Sequence, residues 1–470
     1  MSNKNDSPKP SSNEEPSTSL ITAALSEQST PLISAHEDPS FVYPESAFPA
    51  LSNFDISLQH PALIIPARET ADLRRKLKHV LLHRPKMKSV YPLLEGDQTP
   101  SEKPIKNYRK MVLVNRPDVY DDPSVEALLS SGECCTAKHS ISVSYPDWTV
   151  DEVLRRMLPV TEVPSAFEII GHLAHLNLRE ELLPYKYLVG KAVLDKNKSC
   201  IKTVVTKIGS IANEYRTFGM EVIAGNKEEG WSEVTVKEEG CQYELDFRQV
   251  YWNSRLGGEH RRLVDLVRAD AKSRLIDGNT SPLVVADLMA GIGPFAVPLT
   301  SKGDGIHVHA NDLNPASFKH LEINSKKNRC KNLHCYNIDG RAFCHKLQDE
   351  GIDFHHVFMN LPATAPEFLD AFRGFTGKTR PRIHVHCFGP KDSESSEQEV
   401  IDRSAAALGC KLNIEDDKVS VHMVRNVSPK KNMYCVSFTL PEAARKLPRI
   451  SLDESVEPSG EPEQKRTKLA

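Results

Sequence analysis

From about residue 250 to 445 the chain alternates short apolar runs with helical stretches. The runs are LVVADLMA, IHVHAND, HCYNID, FHHVFMNLP and RIHVHCFG. Strand–helix–strand repetition of this kind packs as a mostly parallel, doubly wound sheet, because each crossover returns right-handed onto the same sheet. An α/β domain is therefore expected over 249–446. Ligands of such sheets sit outside the carboxyl ends of the strands, so the residues at those ends are the first candidates for chemistry.

The rest of the chain has a different texture. Residues 165–248 carry alternating β-branched runs punctuated by glycine (CIKTVVTKIG, SEVTVKEEG, CQYELDFRQVYW) and read as a β-rich, mostly antiparallel middle domain. Residues 61–164 read as a small α+β domain. ARETADLRRKLKHVLL has helical spacing, KMVLVN is a short strand, and DWTVDEVLRRML is a helix starting near Thr149 or Asp151. Residues 1–60 and 447–470 are rich in Ser, Pro and Glu with apolar residues at no period, and disordered tails are expected there. Three folded pieces suit a length of 470 residues at about 150 residues per domain.

Composition narrows the classes. Sixty basic against 63 acidic side chains leave a net charge of −3, which excludes a polycationic nucleic-acid coat but not a local basic face. One basic run (Arg74, Arg75, Lys76, Lys78, Arg84, Lys86, Lys88) is either a solvated helix face or a nucleic-acid contact. QKRTK near the C-terminus reads as a solvated charge run rather than a nuclear address. No apolar run is long enough to span a bilayer. The N-terminus has no apolar core and carries acids without arginine, so it resembles neither a secretory signal nor a transit peptide. The ten cysteines form no CxxC pair, as in a protein of reduced thiols, and no metal site is expected.

The sharpest local feature is Asp287-Leu288-Met289-Ala290-Gly291-Ile292-Gly293-Pro294. A strand ends in an acid, a Gly-x-Gly turn follows, and a helix is expected near Pro294, its N-terminus favouring an anion. Val297 stands close to where a dinucleotide fingerprint has its third glycine, so a carboxylate fits better than a pyrophosphate. Asp312 follows Asp287 by 25 residues, near the spacing of about 20 at which an acid meets ribose hydroxyls. Asp339 ends a third strand and suits an adenine amine. A generic tight turn would explain the Gly-x-Gly alone. Acids at three successive strand ends describe an adenosine without phosphates that carries an amino acid, which is S-adenosylmethionine.

A fourth strand ends in Asn360-Leu361-Pro362. An amide there can accept from an exocyclic amine while proline stiffens the turn; a plain Asx turn is the bland alternative. Upstream, Arg255 and Glu259 are four apart, so on a helix they share a face, as a surface ion pair would. Arg216 lies between aromatics in Glu214-Tyr215-Arg216-Thr217-Phe218 and, taken alone, is a surface arginine.

Together the strings HLAHLNL, EYRTFGMEVIAG, VYWNSRLGGEHRRL, DLMAGIGPFAVP, HANDLNP and MNLP resemble the eukaryotic and archaeal tRNA (guanine-N1)-methyltransferases that act on guanosine 37. The likeness runs collinearly over about 66–445. One departure stands out: the family usually has proline where this chain has Ser254. The resemblance implies a class I methyltransferase domain behind RNA-engaging domains, with S-adenosylmethionine as donor and tRNA as partner. It further implies that Arg216 binds guanine O6, that Glu259 is general base and that Asn360 holds the base. His260, Asp287, Gly291, Gly293, Asp312, Leu313, Asp339, Gly340 and Asn360 would surround the donor, and Arg216, Arg255 and Pro362 the substrate. Guanine calls for such a set: O6 needs a donor as charge builds there, and N1–H and the N2 amine need acceptors. A cytoplasmic monomer is expected, with nucleus and mitochondrial matrix open by family.

Rival readings share the pocket. A wyosine-pathway enzyme would move the donor's aminocarboxypropyl group on the same tRNA region, and has no need to deprotonate N1. A non-catalytic tRNA-binding module would keep a vestigial pocket. A nicotinamide-dependent oxidoreductase is a distant third, lacking the third glycine and any hydride-transfer constellation.

Overall fold

A computed structural model describes residues 30–36, 38, 40–84, 87–101, 104–164, 166–208, 219–278, 280–302, 305–391 and 396–451. The chain forms two compact units. The first holds the described residues of Met1–Phe167, Leu176–Thr206 and Val222–Gly225; the second holds those of Glu168–His175, Lys207–Glu221 and Asn226–Ala470.

In the first unit, β1 (Ile56–Pro66), β2 (Val90–Pro92), β3 (Tyr108–Val112) and β4 (Cys135–Val143) form an antiparallel sheet of order β2-β3-β1-β4. Alternation along β1 sends Leu63 and Ile65 to one face. There they pack with Leu73 of α1 (Thr70–Lys76), Met111, and Val125 of α2 (Pro123–Ser130). Helix α3 (Val150–Met157) opens on a capping box: Thr149 Oγ1 accepts from the Glu152 amide, and Glu152 Oε2 accepts from the Thr149 amide at 2.8 Å. Two expectations about the N-terminal region need correction. Strand β1 crosses the boundary placed at residue 60, and described residues before it are engaged. Leu32 and Ile33 donate backbone hydrogen bonds to Arg156 and Met157, and Tyr43 stacks on Tyr185 at 5.2 Å, just before α4 (Lys186–Lys196). Aromatic residues at no regular period still supply enough buried area to order an extended segment.

The two compact units divide residues 165–248 between them. Short strands β5 (Glu168–Ile170) and β6 (Leu173–Leu176) pair antiparallel, followed by β7 (Thr203–Ile208) and β8 (Gly219–Gly225). The hairpin of β9 (Glu233–Glu238) and β10 (Cys241–Asp246) belongs to the second unit, where Tyr243, Leu245 and Phe247 pack with Trp252, Ile292 and Val297.

The second unit is built on a seven-stranded sheet: β11 (Leu283–Asp287), β12 (Ile306–Asn311), β13 (Leu333–Tyr336), β14 (His356–Met359), β15 (Arg382–Pro390), β16 (Ser420–Ser428) and β17 (Lys431–Thr439). Its order is β13-β12-β11-β14-β15-β17-β16. The first five strands run parallel, while β17 is antiparallel to both β15 and β16. Helices α5 (Gly257–Ile276), α6 (Ala296–Ser301), α7 (Pro315–Lys327), α8 (Gly340–Asp349) and α9 (Ser396–Leu408) accompany it. Burial on both faces explains the near-continuous apolar strands: Leu283 and Val285 meet Leu263, Val264 and Val267 of α5, while Ala286 joins the opposite core. An imidazole and two amide side chains of α7 and its C-cap dock β10: His320 Nε2, Asn324 Oδ1 and Asn328 Oδ1 accept from the amides of Asp246, Glu244 and Gln242. No helix among the described residues is long and apolar enough to cross a membrane.

Candidate active site

The chain reverses direction in the strand order between β11 and β14, and the carboxyl ends of both strands meet there, with the Leu288 amide donating to the Phe358 carbonyl at 3.0 Å. Beyond β11 the Gly-x-Gly turn takes left-handed backbone at Gly291 (φ +55°) and Gly293 (φ +98°). A Cβ on Gly293 would come 2.7 Å from Leu321 Cδ1 and 2.8 Å from Val297 Cγ2, whereas one on Gly291 would meet nothing within 4 Å. Gly293 therefore secures packing, and Gly291 borders open space. Helix α6 begins at Ala296, after Pro294, and is only six residues long. The sequence expectation of a helix N-terminus at Pro294 is thus shifted by the turn, and the glycine loop rather than a long dipole faces the ligand side.

One amide fixes three strand ends. Asn311, fully buried, donates from Nδ2 to the carbonyls of Leu288 and Ile338, and its Oδ1 accepts from the Ile338 amide. Asp312 Oδ2 accepts from the Gly291 amide at 2.8 Å and Oδ1 from Asn314 at 2.9 Å. Burial raises its carboxyl above the usual range, which these backbone donors offset in part. Asp339 caps α8, its Oδ1 accepting from Arg341 and Ala342, with Gly340 buried behind it. Leu313 is 40% exposed beside Asp312, an apolar surface suited to a flat ring.

Asp287 is completely buried, and neither carboxylate oxygen has a partner of good hydrogen-bond geometry. Burial pushes its carboxyl up to about 8, the Met289 amide offsetting only part. Asn360 likewise carries a buried, unpartnered Oδ1. Unpaired buried polar atoms are costly, and two at neighbouring strand ends fit a pocket whose donors come with a ligand. Pro362, half-buried, accepts from the Phe388 amide through its carbonyl. His260 is held by Glu238, Nδ1 to Oε1 2.5 Å, with its ring edge-on to Phe295.

Glu259 departs from the surface-pair expectation. Its side chain is 1% exposed, and its partner is Arg262, not Arg255: Arg262 Nε and Nη2 each donate to it at 2.7 Å, and His386 Nε2 lies 2.8 Å from Oε1. Arg255 sits exposed in the 3₁₀ turn Ser254–Leu256, where helical four-residue spacing does not apply. In that turn Ser254 donates to Glu168 Oε1 from both its amide and its hydroxyl, two bonds a proline could not make. Burial would raise the Glu259 carboxyl, but Arg262 and His386 outweigh it and hold it down at about 2. For His386, burial is outweighed by Cys435 and Glu259, which push the imidazole up to about 10. Ligand atoms of Glu259, His386 and Cys435 lie within 4.8 Å of one another; the arginine bound twice to this carboxylate competes with any cation for it. Arg216 lies outside the described residues.

Arg262, His386 and Asn311 are functional-site candidates the motifs do not single out. Alternation in IHVHCFG places His384 and His386 on one face of an interior strand, a signal that both must find polar partners. They do: His384 bridges His356 and Ser437, and His356 reaches Asp270 of α5.

This strand order, the glycine turn and the strand-end acids define a class I, S-adenosylmethionine-dependent methyltransferase. Residues 234–413 match the model of the TRM5/TYW2 methyltransferase domain, and 150–228 that of the TYW2 N-terminal domain. A Phaeodactylum tricornutum relative, tRNA (guanine(37)-N(1))-methyltransferase 1, is 51% identical over 437 residues, covering 92% of this chain and 97% of its own. The Phytophthora infestans tRNA (guanine(37)-N(1))-methyltransferase is 37% identical over 419 residues, covering 86% and 94%. Among solved structures, Trm5b from Pyrococcus abyssi is similar over 81% of this chain and 99% of that one, at 25% identity and a TM-score of 0.55. The chain belongs to the tRNA (guanine(37)-N(1))-methyltransferase family.

Proposed function

We propose that this protein methylates N1 of guanosine 37 in tRNA, with Arg216 on O6, Glu259 as general base, and Asn360 holding the base. Family membership supports the reaction. The observation that carries the site is the pair of unsatisfied buried groups, Asp287 and Asn360, at the ends of adjacent strands. Asp287, Asp312, Asp339 and the Gly291 turn would hold S-adenosylmethionine, with His260 and Leu313 beside it. Bound there, the donor supplies an electrophilic methyl group on a sulfonium.

The chain's own residues do the rest. Asn360 Oδ1 accepts from the guanine N2 amine and so orients N1. Arg216 offers donors to O6 as negative charge gathers. Glu259 takes the N1 proton, but a carboxyl held at about 2 by Arg262 and His386 is a weak base. Entry of guanine therefore includes opening of one of these contacts; Arg262, 29% exposed, has room to leave. Adenine, lacking an N1 proton and presenting an amine at C6, would leave the same groups unpaired. The proposed working state is a cytoplasmic monomer, with the basic segment at 74–88 and Arg255 engaging the tRNA.

Incubation with labelled donor and unmodified tRNA, followed by nucleoside analysis, tests the reaction. N1-methylguanosine at position 37 is expected; an aminocarboxypropyl product would replace this reading with the rival one, and no product would remove both. For the base, Glu259→Gln should keep tRNA and donor binding yet slow single-turnover methylation by at least about 10²-fold.

A further inference from the structure

The Glu259 carboxylate lies over a row of three side chains that the sheet register places side by side. His386 on β15 is opposite Cys435 on β17, and Cys435 is opposite His422 on β16. Residues directly opposite share a sheet face, so the row runs from the buried sheet interior to its edge strand. The ends differ sharply: the His386 side chain is 0% exposed, that of His422 48%. The carboxylate bridges them, with Oε1 2.8 Å from His386 Nε2 and Oε2 3.7 Å from His422 Nε2. The longer gap is a small ring rotation from a hydrogen bond.

Resting on Glu259 as base, we propose that His422 receives the guanine N1 proton from Glu259 and passes it to solvent. The N1–H bond breaks as the Glu259 carboxylate takes the proton, and the electron pair left on N1 forms the bond to the methyl carbon while that carbon's bond to the donor sulfur breaks, its electron pair neutralising the sulfonium. The carboxylic acid then gives the proton to neutral His422 Nε2, and the imidazolium releases it to water or buffer, restoring both groups. His386 cannot take this part: its side chain has no solvent contact through which to release a proton. The groups facing His422 are Glu259 and Arg262 from α5, His386 from β15 and Cys435 from β17. Burial, Arg262 and His386 lower its pKa below the ordinary imidazole range, and Glu259 opposes them. His422 is therefore neutral and able to accept at neutral pH. It acts through Glu259, not on the base itself.

The test uses the full chain, excess unmodified tRNA and saturating donor in multiple-turnover assays between about pH 5 and 9, which read the recovery of Glu259 between cycles. Wild type, His422→Gln, His422→Ala and Glu259→Gln are compared. Both His422 variants should fall by about 10-fold, less than the ~10² or more of a directly acting group, and lose the wild-type decline on the acid side. Added imidazole should restore His422→Ala but not Glu259→Gln. A slow Glu259→Gln beside His422 variants with wild-type rates and pH profile overturns the relay alone, as does a loss in His422→Ala that imidazole leaves unrepaired. A Glu259→Gln enzyme as fast as wild type overturns the base assignment on which the relay rests.

Discussion

Replacing Asp287 by asparagine should stabilise the donor-free protein, and by an amount that depends on pH. The Asp287 carboxyl titrates near 8 in the folded chain, against 3.8 for an ordinary aspartate. Below about pH 4 it is protonated in both folded and unfolded states and has no effect. As pH rises toward 8, the unfolded chain releases this proton while the folded chain keeps it, so stability falls by about 1.4 kcal/mol per pH unit. Summed to pH 8, that is at most about 6 kcal/mol, and relaxation and water penetration around a buried charge reduce it to a few kcal/mol. Asparagine has the same shape and no charge. Thermal unfolding of wild type and Asp287→Asn without donor, at pH 5 and pH 8, isolates this group because other titrations cancel between the two. At about 2–4 °C per kcal/mol for a unit of this size, the variant should melt roughly 5–10 °C higher at pH 8, with a much smaller gain at pH 5. It should also bind S-adenosylmethionine more weakly. A variant that melts below wild type at pH 8, or whose difference is the same at both pH values, would refute an unpaired, strained carboxylate at this site.

The two glycines of the turn should separate in their effects. Gly293→Ala combines φ +98° with contacts of 2.7 and 2.8 Å, so calorimetry should show a loss of about 2–5 kcal/mol. Gly291→Ala meets no neighbour and should cost only about 1–2 kcal/mol, with most of its damage seen as lost donor affinity in titration calorimetry. Asp339→Ala removes the two backbone hydrogen bonds capping α8 and should lower stability by about 0.5–2 kcal/mol while weakening adenosine binding; unchanged binding would assign Asp339 to capping alone.

The parallel sheet was legible because strands buried on both faces must read as apolar runs, and the acids closing LVVAD, HAND and NID fall at the ligand end of such a sheet. What escaped the sequence depended on register or on local breaks in periodicity. Arg255 was matched to Glu259 on helical spacing, yet a 3₁₀ turn occupies Ser254–Leu256 and the partner came from the other direction along α5. His386 and His422 sit 36 residues apart and meet only because β15, β17 and β16 align them. The hairpin β9–β10 falls in the second compact unit, which its alternating sequence alone does not reveal. Its attachment is written in α7, where His320, Asn324 and Asn328 recur every four residues as a polar stripe for an exposed strand edge. Among the described residues 30–55, aromatic contacts such as Tyr43 on Tyr185 hold a stretch whose polar composition alone points to disorder.

Asn311 gives the proposed donor pocket a property that no acid within it has by itself. Because one amide group grips the loops after β11 and β13 from the end of β12, Asp287, Asp312 and Asp339 do not occupy independent positions. Weakening any one of these loops loosens the seats of the other two, so combined substitutions among the three acids will depart from simple sums of their separate effects. On the proposed site, affinity for the donor is a cooperative property of three loops, set by a side chain that need never touch it.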